Sequence, residues 1–520
     1  MVKFDYGKVK DPLIFAENRV EAHSDHICYA SLEELKEQKS SFRHSLDGLW
    51  KFSYSRNYQS AIRGFEAAEY DCKSWADIRV PAHIQMEGYD APQYANTQYP
   101  WDGREDIKAG EIPEFFNPVA SYVKYFYVPE QMKDRPLYIS FQGVESGIAL
   151  WLNGTYVGYS EDSFTPSEFE LTPYLVEGEN KLAVQVFKWT ASSWCEDQDF
   201  FRFSGIYRSV YLYTTPEVHV QDVSIRTLLD DEYKDADLQI KGKVSGTGKI
   251  FLTLRDGEEI VAQAQTDAAK EFAVTIPVKS PALWSAEEPN LYELLAEVAD
   301  ENGQVKEVFS QMVGFRRFEM IDHIMCLNGK RIVFKGVNRH EFSSKRGRVP
   351  NEEELIQDIV TMKRNNINAI RTCHYPDDSR IYELCDQYGL YMIAENNMES
   401  HGSWEPILRG EVSTEDVVPG DRKEWEPMML DRVNSCYQRD KNHPAILIWS
   451  CGNESFGGSV IYEMSQLFRK LDDTRLVHYE GLFNDRRYND SSDMESQMYP
   501  TVESIKEFLK KDRSKPFISC

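Results

Sequence analysis

The sequence has no excess of positive charge. Lys and Arg number 59 against 85 Asp and Glu, a formal net charge of −26. Phosphate backbones and anionic membrane surfaces are bound through Lys/Arg patches. Nucleic acid and membrane partners are therefore not expected, and a neutral small-molecule substrate is. No apolar run approaches the roughly 20 residues of a membrane-crossing helix. The opening residues Met1-Val2-Lys3-Phe4-Asp5-Tyr6 carry neither the apolar stretch nor the cleavage site of a secretory signal. The 9 cysteines are odd in number and scattered, without CxxC or other ligand spacing. Cysteines in apolar strands, such as Cys373, Cys451 and Cys520, read as small buried hydrophobes. The pattern points away from a disulfide framework and toward a reducing, cytoplasmic home.

At 520 residues the chain is long for one domain, and two to four are expected. Aromatic residues make up 13%, with 10 Trp and 29 Tyr. Flat sugar faces stack on such rings, and aromatic-rich β-sandwich cores account for them equally well. Residues 1–217 comprise an N-terminal tail and an all-β region. Alternating runs such as Leu137-Ile139-Phe141 and Leu182-Val184-Val186 are separated by turns such as Asn153-Gly154, which suits a jelly-roll sandwich. Residues 218–317 repeat this grammar over about a hundred residues. Strands are expected at Leu238-Ile240 and Ile250-Leu254, with a turn at Ser245-Gly246-Thr247-Gly248, as in an immunoglobulin-like sandwich.

From 318 to 520 apolar strands alternate with helical stretches. Arg331–Val337 reads as a strand, Asn351–Asn366 as a helix with Leu355, Ile359 and Met362 on one face, and Ile367–Thr372 as the next strand. Strict β/α alternation means a parallel sheet covered by helices, here a (β/α)8 TIM barrel. About seven strands can be counted where eight are needed, so this barrel is expected to be incomplete in the chain.

Polar residues gather just after the apolar runs. Examples are Asn338-Arg339-His340-Glu341, Thr372-Cys373-His374, Glu395-Asn396-Asn397-Met398-Glu399-Ser400-His401, Asn453-Glu454 and Met498-Tyr499. The C-terminal ends of barrel strands are where catalytic groups sit. Glu454, after the apolar Ala445–Trp449, is placed to protonate a leaving oxygen, its pKa raised by that setting. Glu399 and His401, two apart at an extended strand end, point the same way and suit a divalent cation, Mg²⁺ over Zn²⁺. Glu395, Glu399 and Glu480 are strand-end carboxylates, and spacing does not say which, if any, partners Glu454.

These motifs resemble glycoside hydrolase family 2. The resemblance covers nearly the whole chain. It rests on Tyr94-Ala95-Asn96-Thr97-Gln98-Tyr99-Pro100, on Glu196-Asp197-Gln198-Asp199 through Gly205-Ile206-Tyr207-Arg208, and on the barrel motifs around His340, His374 and Asn453-Glu454, in the family's order. It implies a retaining β-galactosidase acting on terminal β-galactosides such as lactose. Glu454 would be the acid/base, and Asn453 would bond the sugar 2-hydroxyl. His340 and His374 would contact galactose hydroxyls, His374 in the transition state. Glu399, His401 and Glu454 would hold Mg²⁺. Asp199 would hold Na⁺ at the 6-hydroxyl, Asn96 would help bind the sugar, and Tyr499 would lie beside the nucleophile. The nucleophilic Glu and the other Na⁺ ligands are expected just beyond Cys520. The chain alone would then be inactive, being either a piece of a longer polypeptide or a subunit completed by a complementing C-terminal chain; a homo-oligomer or such a complementing chain is the expected partner. The alternatives are a non-catalytic or accessory fragment, or a β-glucuronidase or β-mannosidase of the same family. Two departures stand out: Ala394 replaces an Asp common before Glu395, and Ser455 replaces a common His.

Overall fold

In the computed structural model, residues 4–105 and 107–520 are described. Met1, Val2 and Lys3, part of the opening stretch read as lacking a secretory signal, lie outside them. The first unit is a sandwich of a seven-stranded antiparallel sheet on a four-stranded one. The predicted alternation sets its core: Leu137, Ile139 and Phe141 are buried against Leu182, Val184 and Val186. Asn153 and Gly154 form the two-residue hairpin turn, both at positive φ (51° and 83°), the conformation such turns require.

The second sandwich departs from expectation at one point. A single strand, Ala236–Asp256, replaces the two expected around Leu238 and Ile250. Ser245–Gly248 is a bulge within it rather than a turn, marked by the register shift between Lys243 and Thr247. Close packing explains the glycines there. A Cβ on Gly246 would lie 2.3 Å from the Glu217 carbonyl oxygen, and one on Gly248 would lie 2.0 Å from that of Ala299.

The third unit carries seven parallel strands. Strand one is Gly336–Arg339, two Ala369–Thr372, three Tyr391–Glu395, four Ile446–Ser450, five Leu476–His478, six Glu495–Gln497 and seven Phe517–Ser519. One to five form a continuous parallel sheet, and six pairs with seven. Among the described residues no ladder joins five to six or seven to one. Strand one is shorter than the sequence indicates, because Lys330–Arg331 instead closes a three-stranded antiparallel ribbon with Phe318–Ile321 and Ile324–Leu327. The Ile332 amide extends that ribbon by donating to the Met325 carbonyl at 3.1 Å. The outer edge of strand one is open, with Val333 54% and Val337 37% exposed. Helices cover the rest. The helix Glu352–Arg364 starts on a reciprocal Asn351–Glu354 capping box and buries Leu355, Ile359 and Met362, as the spacing predicts.

The jelly roll is keyed into the barrel mouth by buried arginines. Arg208 donates to Glu341 at 2.9 Å, Arg432 to Glu196 at 2.8 Å, and Arg348 to Glu145. Tyr99, Trp101, Trp189 and Trp194 of the first unit pack into the same apolar cluster as the barrel core.

Candidate active site

Beyond strand three the chain stays extended, and Glu399 bridges Asn453 on one side and Glu196 on the other, both in parallel register. The Glu399 amide donates to the Cys195 carbonyl at 3.1 Å and the Asp197 amide to the Glu399 carbonyl at 3.0 Å. A jelly-roll segment is thus stitched to the exit of strand three. Asp197 adds a side-chain clamp. Its carboxylate accepts from the Gly402 amide at 2.8 Å and from Arg202 at 2.7 Å.

Beneath lies a saturated carboxylate. Glu395, fully buried, accepts from Arg371 Nε at 2.7 Å, Ser450 Oγ at 2.6 Å and His374 Nδ1 at 2.5 Å. Burial alone would raise its pKa, but Arg371 and then His374 hold it at about 2. The same Arg371 donates to Asn453 Oδ1 at 3.0 Å, and Asn453 Nδ2 donates to Glu399 Oε2 at 3.0 Å. Asn453 is therefore fixed from both ends. His340 stands edge-on to His374, ring centroids 5.9 Å apart, with Nδ1 3.2 Å from the Tyr375 hydroxyl. Burial, then the neighbouring His374, pushes His340 down to about 4, so it is a neutral imidazole at neutral pH.

Glu399, His401 and Glu454 offer ligand atoms within 4.8 Å of one another. His401 Nδ1 lies 2.5 Å from Glu454 Oε2. Glu399 Oε1 is buried with no hydrogen-bond partner. An orphaned carboxylate oxygen is costly, and a divalent cation would satisfy it. Two carboxylates and an imidazole fit such an ion. Glu454 sits at φ +28°, in the left-handed region. Its amide donates to Glu480 Oε1 at 2.6 Å, and its carbonyl accepts from Trp404 Nε1 at 2.8 Å. The Trp404 ring stacks on His401, with centroids 4.9 Å apart.

The electrostatics correct one expectation. Burial does push the Glu454 carboxyl up, but the hydrogen bond and charge of His401 pull it net below the usual range. The raised partner is Glu399, pushed well up by burial and then by Glu454. The apolar strand before Glu454 does not set its pKa, because the His401 imidazole is in contact with the carboxylate.

Three family models cover the chain in order. The sugar binding domain of glycosyl hydrolases family 2 matches residues 43–216, a second family 2 domain 218–316, and the family 2 TIM barrel domain 318–520. A beta-galactosidase large subunit from Lactobacillus acidophilus is 42% identical over 529 residues, covering 98% of this chain and 84% of that relative. The chain belongs to glycoside hydrolase family 2. A beta-galactosidase of Halalkalibacterium halodurans is 53% identical, over 98% of this chain but 51% of its own length. The chain spans about half the length of several such relatives. The fold is shared with a beta-glycosidase from Bacteroides vulgatus, with a TM-score of 0.72 at 24% identity, over 92% of this chain and 58% of that one.

The remaining residues singled out by the family 2 resemblance lie on other segments. Asp199 precedes Phe200–Arg202, which pairs antiparallel with Gln93–Ala95, and it accepts a hydrogen bond from the Tyr94 hydroxyl. Asn96 follows that pairing strand and is exposed. Among the described residues Asp199 joins no cluster of three His, Cys, Asp or Glu ligands. Tyr499, just past strand six, is 87% exposed and is not brought to the group around Glu454. Three members of the site were not singled out as such. Asp197 is indistinguishable by type from nearby Asp199. Trp404 had a signal in its position three residues after His401. Glu480 was one of several strand-end carboxylates, and nothing in the spacing said that it holds the Glu454 amide.

Proposed function

We propose that this chain supplies the acid/base half of a retaining β-galactosidase, with Glu454 as the group that protonates the glycosidic oxygen and then activates water. The observation that carries the reading is the fixing of Glu454 at the mouth on three sides: amide to Glu480, carbonyl to Trp404, carboxylate to His401. A catalytic carboxylate needs such pre-organisation. Asn453, oriented by Arg371 and Glu399, is placed to bond the sugar 2-hydroxyl, a contact that strengthens toward the oxocarbenium-like transition state. Neutral His340 and His374 would bond galactose hydroxyls, with Asn96, Asp199 and Tyr499 at the rim.

Glu399, His401 and Glu454 would hold Mg²⁺, which when bound supplies fixed positive charge beside the acid/base. Asp199 would give Na⁺ one ligand, and no step is drawn through that ion.

A retaining mechanism needs a nucleophilic carboxylate about 5 Å from the acid/base. Of the other carboxylates at this mouth, Glu395 is saturated, while Glu399 and Glu480 each hold one protein contact and keep one oxygen without a partner. Following the family 2 resemblance, we assign the nucleophile to polypeptide outside this sequence, either a continuation or a complementing chain that also pairs the open barrel edge. A carboxylate arriving there adds a like charge that raises the Glu454 pKa toward the range an acid needs. The test is a panel of nitrophenyl β-galactoside, β-glucuronide and β-mannoside, given to this chain alone and to the completed protein. The completed protein is expected to prefer the galactoside and the chain alone to be silent. Preference for another sugar overturns the substrate, and turnover by the chain alone overturns the placing of the nucleophile.

A further inference from the structure

Far from the barrel mouth, the N-terminal segment runs between the two sandwiches and lines a cleft of about 1200 Å³ whose wall includes His26, Cys28 and His219. Three chain segments meet there. Cys28 comes from the N-terminal segment, His219 opens the strand His219–Leu229, and Glu307 lies in Val305–Val313. Reciprocal backbone bonds of 2.8 Å between Tyr29 and Val308 hold Cys28 against Glu307. Cys28 Sγ is 4.0 Å from His219 Nδ1, which is 2.6 Å from Glu307 Oε2. His26, Cys28 and Glu307 offer ligand atoms within 4.8 Å of one another. Glu307 is fully buried, and its second oxygen takes the Val220 amide at 3.2 Å. Its carboxylate is thus aimed.

We propose that Cys28, His219 and Glu307 form a binding site for a zinc-class transition metal, distinct from the cation group at the barrel mouth. The donor set makes the distinction. A thiolate and an imidazole select Zn²⁺ or Co²⁺, whereas the oxygen-rich mouth suits Mg²⁺. On binding, the Cys28 thiol releases its proton to solvent. His219 turns its Nδ1 lone pair inward and carries its proton on Nε2. Thiolate and carboxylate together neutralise the dication. His26 is a neighbour rather than a fourth ligand, because its ring nitrogens are already engaged, Nδ1 with Ser24 Oγ at 2.9 Å and Nε2 with the Val220 carbonyl at 3.1 Å. Three protein ligands beside an open cleft match a site that keeps one position for solvent. Among the described residues, the hydrogen bonds of Cys28, His219 and Glu307 do not reach Glu399, His401 or Glu454.

The test is Co²⁺ titration of the whole chain followed by absorption. Native chain is expected to show a thiolate-to-cobalt charge-transfer band with the visible bands of a four-coordinate ion, both removed by added Zn²⁺. Cys28→Ser, isosteric at a partly buried position, should abolish the charge-transfer band. Glu399→Gln should leave it intact. A second readout needs no variant. Zn²⁺ should slow alkylation of Cys28, mapped by peptide mass spectrometry. No charge-transfer band in folded native chain, or a band that survives Cys28→Ser, overturns the proposal. Cys28 alkylation that ignores Zn²⁺ also overturns it and leaves the trio a hydrogen-bonded strut.

Discussion

Glu395 and Glu399 sit four residues apart on one strand exit, both fully buried, and their surroundings are opposite. Glu395 has three donors and is held at about 2. Glu399 has one side-chain donor and an oxygen with none, and burial pushes its carboxyl well up. A carboxylate saturated by protein donors is part of the fold. One left short of donors at the lip of a mouth has room for something the chain does not supply.

The sharpest way to break this contrast is at Glu395. Glu395→Gln strands the buried Arg371 guanidinium and should cost about 3–5 kcal/mol, read as a lowered urea midpoint. Glu399→Gln should change stability in metal-free buffer by only about 1 kcal/mol. It should instead remove the stabilisation by Mg²⁺, which at a hundredfold excess over its dissociation constant is worth about 2.7 kcal/mol to the native chain. If both variants lose stability equally without Mg²⁺, the contrast is wrong. Trp404→Phe keeps the stack on His401 but loses the bond to the Glu454 carbonyl, a smaller cost of about 0.5–1.5 kcal/mol, again read by urea unfolding. The smallest effect concerns a half-open counterpart of the Glu395 group. Glu168 is held at about 2 by His23, and His23 is raised to about 9 by Glu168, although burial opposes both shifts. The glutamate's contribution is present above its unfolded pKa and is lost as pH falls through about 2. The histidine's is present below its unfolded pKa and is lost as pH rises through about 9. Both are fully present between roughly pH 4.3 and 6.5, the unfolded values. The difference in melting temperature between native chain and Glu168→Gln should peak in that window and shrink outside it. Because the His23 side chain is 34% exposed, solvent screening keeps it small.

Periodicity in the sequence carried much of the architecture, because burial imposes it. Leu355, Ile359 and Met362 face the core at the spacing that named their helix. Turn chemistry read in isolation misled at Ser245–Gly248, where glycines serve close backbone approach inside one long strand. Strand one was overextended because Ile332 and Val333 are as apolar as any strand, and only their hydrogen bonds show that the ribbon claims the first of them. At the site, Glu399, His401 and Glu454 were legible from their place after apolar runs, and the structure brings them together. The pairing of Glu454 with Glu480 and Trp404 was not legible, since it depends on loops that cross between strand exits. Nor was the lowered Glu454 pKa, which depends on a contact 53 residues away in sequence.

The claim at the centre is that Glu454 delivers the proton. In the completed protein, the rate of Glu454→Gln relative to native should be measured across aryl galactosides of rising leaving-group pKa. The account predicts that the variant falls further behind as the leaving group worsens, with the most activated substrate least affected. An equal loss across the series would contradict it.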